Sequence, residues 1–87
     1  MDHKFVNMNI INNVFEDVPI VDYITVTSVT DSQVHLLVHL KTSKLPDKDS
    51  FYDRTLILGK MLNRTVILAY APASKFRAFL FKLGWLT

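Results

Sequence analysis

The clearest pattern along the chain is an alternation. Val34, Leu36, Val38 and Leu40 take every second position, with Gln33, His35, Leu37, His39 and Lys41 between them. Successive side chains of a strand point to opposite faces, so this segment is expected to be a strand with one buried face. Residues 20–29 precede it and include Tyr23, Ile24, Thr25, Val26, Thr27 and Val29. Such β-branched and aromatic side chains suit a pleated surface, and Pro19 stands just ahead, where its missing N–H does least harm. Thr30-Asp31-Ser32-Gln33 supplies short side chains that bond their own backbone, so the two segments predict a hairpin.

Helical spacing takes over after the hairpin. A charged loop over residues 41–50 leads to an apolar stripe of Tyr52, Leu56, Ile57, Leu58, Met61 and Leu62. Asp49 or Ser50 is placed to cap this helix, and Asn63 to end it in the left-handed conformation. Residues 65–71 (Thr-Val-Ile-Leu-Ala-Tyr-Ala) are apolar without alternation, which predicts a strand that is interior or covered on both faces. After Pro72, Ser74 can cap a last helix whose Phe76, Phe79, Leu80 and Leu83 form an i, i+3, i+4, i+7 set, expected to be core, with Gly84 as its stop.

The start of the chain satisfies two periods at once. Val6, Met8 and Ile10 alternate, whereas Met8, Ile11, Val14, Phe15 and Val18 fall near helical spacing. Asparagines at 7, 9, 12 and 13 suit neither element. A short strand near 4–9 followed by a short helix near 10–16 is the expectation. The chain then reads as one α+β domain over residues 1–87, a small mixed or antiparallel sheet with helices in the order (β)(α)ββαβα. With the first strand included, the first six elements match the ferredoxin-like order, with a C-terminal helix added.

Composition narrows the function classes. Hydrophobic residues make up 49% of the 87 and charged residues 21%. A domain this small buries only about 60% of its unfolded surface, which favours some apolar area being left for a partner. The absence of cysteine removes thiolate nucleophiles, disulfides and thiolate metal sites, and points to a cytoplasmic location. Residues 1–4 with the asparagines after them do not read as a secretory leader. The longest apolar region, residues 56–71, is broken by Lys60, Asn63 and Arg64, so no membrane span is expected.

Candidate chemistry is sparse. His35 and His39 share a strand face, but four residues along a strand span about 13 Å, too far for both rings to hold one metal ion. Asp47, Asp49 and Asp53 gather where a helix start favours acids. The serines have turn, cap or strand roles, and two glycines cannot build a phosphate-binding loop. No enzyme activity, cofactor or metal is therefore expected.

Cations and aromatics offer more. The net charge is +2 and the pI about 9.0. Lys41, Lys44 and Lys48 surround the 41–49 loop, and Lys75, Arg77 and Lys82 lie on the last helix. Phe81 falls outside the Phe76/Phe79/Leu80/Leu83 stripe, and Trp85 lies beyond the glycine stop, where it can fold back on Leu80. Large aromatics beside an arginine are favoured interface anchors. The first expectation is thus a small non-enzymatic interaction protein (a regulator, inhibitor or adaptor, or a self-associating subunit) that binds through the C-terminal helix, with Phe81, Trp85 and Arg77, or through an exposed sheet edge. The alternative is nucleic-acid binding, with Lys75, Arg77, Lys82, Lys41, Lys44 and Lys48 on phosphates.

Overall fold

The computed structural model describes residues 6–47 and 49–84. Its elements run α1 (Met8–Phe15), β1 (Val21–Val29), β2 (Gln33–Leu40), α2 (Tyr52–Leu62), β3 (Thr65–Ala71) and α3 (Lys75–Lys82). This is an α+β chain with a three-stranded mixed sheet in the order β1-β2-β3.

The expected hairpin forms. The Thr30 hydroxyl accepts from the Gln33 N–H at 3.0 Å, and the Thr30 N–H donates to the Gln33 carbonyl at 2.8 Å, closing the turn. The β2 alternation sorts its side chains as the pattern requires: Val34, Leu36, Val38 and Leu40 are buried, while His35, Leu37 and His39 are half-exposed. In β1 the register shifts twice, between Val21 and Tyr23 and between Val26 and Ser28. Each shift inserts one residue, Asp22 or Thr27, opposite a single step of β2. The inserted residues let Val21, Ile24, Val26 and Val29, spaced 3, 2 and 3 apart, all pack against the core.

Residues 6–9 form no strand, because α1 already begins at Met8, which corrects the expectation of a strand near 4–9; residues 4 and 5 lie outside the described residues. Asn7 decides the matter. Its side chain accepts from the Asn9 N–H at 2.9 Å and caps α1. Ile11 and Phe15, one turn apart, are buried, whereas Asn9, Asn12 and Asn13 are exposed. The weak propensity of asparagine is offset because none of these three must be buried.

β2 and β3 are direct parallel neighbours, paired from Gln33↔Thr65 to His39↔Ala71 and joined through α2. A ferredoxin-like sheet would set another strand between them, so that arrangement is not the one present. β3 is a sheet edge rather than an interior strand. Val66 faces the core, but Ile67 is 37% exposed and Ala69 is exposed as well. The unbroken apolar run reflects an apolar side chain on each face of an edge strand, not cover on both.

The α1 and α2 helices pack on one face of the sheet. The core beneath them centres on Ile11, Val34, Leu36, Val38 and Leu58, with Phe15 and Phe51 edge to face at 5.8 Å. Only Leu58 of α2 is fully buried; Tyr52, Leu56, Ile57 and Met61 are exposed, contrary to a wholly inward stripe. Neither Asp49 nor Ser50 caps α2: Phe51 is the N-cap residue and makes no side-chain cap bond. Asn63 does end the helix in the left-handed region, at φ 55°. Arg54 ties the two helices together, its guanidinium donating to the Val14 carbonyl at 2.6 Å and to both Asp17 carboxylate oxygens at 2.6 and 3.0 Å. It thereby satisfies a carbonyl that the end of α1 leaves free.

Candidate functional surface

The last helix carries the functional candidates. Ser74 caps α3 as expected, accepting from the Arg77 N–H at 3.1 Å. The helix does not pack on the sheet. It stands at the end where β1 begins and β2 and β3 finish, beside Pro19, Ile20, Lys41 and Thr42. Among the described residues it is linked to that end by the Ala73 N–H, which donates to the Thr42 carbonyl at 2.9 Å, by Arg77, which meets Asp22 at 3.4 Å, and by Lys41, which lies over the Phe81 ring. The Asp22 carboxylate comes from the first inserted residue of β1, a position where such irregularities re-aim a side chain.

This placement reverses the expected burial. Phe76 is 71% exposed, Phe79 56% and Leu83 49%, so the expectation that they are core is overturned; Leu80 is half-buried. Phe81, placed at the rim by its position on the helix, is more enclosed than they are. It is half-buried, with the Lys41 Nζ 5.8 Å and the Arg77 guanidinium 5.4 Å from its ring centroid. The periodicity identified a real apolar stripe but not its direction. At 100° per residue, Phe76, Phe79 and Leu83 fall within an arc of about 60°, and that arc faces outward.

An open groove of about 500 Å³ runs between α3 and the start of the hairpin. Lys75, Ala78, Phe79 and Lys82, spaced i, i+3, i+4, i+7, form one wall. Ile20 and Lys41 stand opposite, with Phe81 in the lining. Three of the six cations assigned to a phosphate-contact surface (Lys41, Lys75 and Lys82) thus converge on one feature. Arg77 is turned to Asp22 and Phe81 instead. Lys44 is exposed on the loop, and Lys48 and Trp85 lie outside the described residues. The groove had no signal in the sequence beyond the spacing of Lys75 and Lys82, because Lys41 and Ile20 join it only through the hairpin register.

His35 and His39 lie on β2, on the sheet face opposite the helices. The His39 ring stacks on Tyr23, with centroids 4.0 Å apart and planes 10° from parallel, and its Nε2 lies 3.1 Å from the Thr25 hydroxyl. His35 meets the Gln33 side chain at 3.3 Å. A hydroxyl beside an imidazole is the start of a nucleophile–base pair, but attack also needs an enclosed site with donors for the developing oxyanion. The Thr25–His39 contact lies instead on an open strand face, beside a cleft of about 170 Å³. Among the described residues no three His, Asp or Glu side chains lie together as a metal site, and no helix is long and apolar enough to cross a membrane.

No family model, curated protein or solved structure matches this chain.

Proposed function

We propose that the chain is a non-enzymatic protein-interaction module and that α3 presents its contact surface. One observation carries this reading. Phe76, Phe79 and Leu83 occupy a single face of a capped amphipathic helix, and all three are exposed. Exposed side chains at i, i+3 and i+7 are the anchors by which a helix seats in an apolar groove of a partner. Large aromatics supply most of the energy in such contacts. Arg77 and Phe81 serve this surface from behind, since their contacts with Asp22 and Lys41 fix how α3 leaves the sheet.

The test is affinity capture from the source cell, with nuclease present, comparing the wild type with Phe76→Ser/Leu83→Ser. The variant is expected to fold and to lose the captured protein. Recovery of the same protein in the same amount by the variant would reject the reading. Nucleic-acid binding is the second reading, supported by the convergence of Lys41, Lys75 and Lys82. It predicts a bound species that is lost on nuclease treatment and weakens steeply with added salt.

A further inference from the structure

We propose that the groove between α3 and the hairpin is a second contact, one that takes an acidic segment of a partner protein with an apolar side chain at its centre. The proposal rests on the interaction reading and adds the chemistry of the partner. Charge complementarity points to the occupant. Lys41, Lys75 and Lys82 border the groove, and no Asp or Glu is among the described residues lining it. The surface between them is mainly apolar, made of Pro19, Ile20, Ala78, Phe79 and Phe81 with Thr42. Ala78 lies between the two lysines of α3, on the same helix face, and its small side chain leaves room there.

Single-stranded nucleic acid would meet the same cations but needs aromatic faces on which to stack its bases. Phe81 is poorly suited to that, because Lys41 and Arg77 already lie over its ring at 5.8 and 5.4 Å. Phe79 is the other ring of the lining, a single exposed stacking face, and Pro19, Ile20 and Ala78 beside it are aliphatic, which suits a Leu or Phe side chain with carboxylates on either side. The carboxylates would pair with Lys75 and Lys82 on one wall and with Lys41 on the other.

The experiment is a fluorescence-anisotropy titration of the full chain with three labelled probes. They are a dodecapeptide of Asp and Glu around a central Leu-Phe pair, the same peptide with Lys and Arg in place of the acids, and a thymidine 12-mer. The acidic peptide is expected to bind at least about tenfold more tightly than the other two. Lys75→Glu/Lys82→Glu should weaken it by about tenfold or more, through charge reversal at exposed positions. Ala78→Phe should weaken it as well, by filling the groove without changing charge. Phe76→Ser/Leu83→Ser should leave it unchanged, because those side chains lie on another face of α3. Equal binding of the acidic and basic peptides overturns the proposal, as does preferential binding of the oligonucleotide or indifference to both groove variants. If no peptide binds but cellular capture still depends on Phe76 and Leu83, the groove proposal falls and the interaction reading stands. If the peptide binds as expected while capture is indifferent to Phe76 and Leu83, the stripe reading falls and the groove becomes the contact.

Discussion

At Gly59 the α2 helix and the chain that leaves it approach within the reach of one methyl group. A Cβ built there would lie 2.9 Å from the Arg64 carbonyl oxygen, which is backbone and cannot swing aside. The approach is fixed by the left-handed turn at Asn63 and by the Arg64 N–H, which donates back to the Gly59 carbonyl at 3.1 Å. Alanine in place of a mid-helix glycine ordinarily gains up to about 1 kcal/mol. Here Gly59→Ala should instead cost about 1–2 kcal/mol in a denaturant melt, as overpacking does. A more stable variant would show that the turn relaxes freely. Asp17 gives a second residue-scale test. Hydrogen bonds from Arg54 hold its carboxyl below the usual carboxylate range. A carboxyl depressed in the folded state stabilises above its unfolded value, and that contribution is lost as pH falls through its folded value. The wild type should therefore lose stability more steeply than Asp17→Asn as pH drops below about 4, by a modest margin because the pair is exposed. Parallel acid melts of the two proteins check this. Asn63 was legible as a helix stop from its residue type, whereas the Arg54–Asp17 pair was not. It joins residues 37 apart, and neither position carries a local signal of the contact.

At the scale of elements, legibility depended on how strictly a period was kept. β2 alternates without a break, so its faces could be assigned directly. Leu36→Ala should cost about 2–5 kcal/mol, since Leu36 is buried, and Leu37→Ala on the open face about 1 kcal/mol or less. Similar losses from the two variants in one series of melts would invert the face assignment. β1 was legible as a strand but not in register, because the irregularities at Asp22 and Thr27 break its alternation. Counting back from the turn without the Thr27 insertion sets Thr25 opposite Val38; with it, Thr25 faces Leu37 and reaches His39. The 3, 2, 3 spacing of Val21, Ile24, Val26 and Val29 was the available clue. α3 shows the limit of periodicity: the spacing of Phe76, Phe79 and Leu83 defines a face, while only tertiary packing decides whether that face meets a core. The side of the sheet facing the core is already covered by α1 and α2, and α3 stands at its end.

For the whole molecule, the order of elements from α1 onward and the α+β class were legible, but the distribution of apolar surface was not. Helices cover one face of the sheet. The other shows Tyr23, Thr25, Leu37, His39, Ile67 and Ala69, with Tyr23 and Thr25 on one edge strand and Ile67 and Ala69 on the other. The high apolar fraction read from composition is thus divided between a small core and surface residues on α2, α3 and this open face. Among these surfaces α3 is distinguished by having its three exposed large apolar side chains on one narrow arc, next to a groove bordered by lysines. The central claim is that this arc is a contact surface and not part of the core. A urea melt of Phe76→Ser/Phe79→Ser/Leu83→Ser against the wild type tests it most directly. The unfolding free energy is expected to change by no more than about 1 kcal/mol, as for exposed positions. A loss of several kcal/mol, on the order expected for truncating even one buried phenylalanine, would contradict the claim and return the stripe to the core.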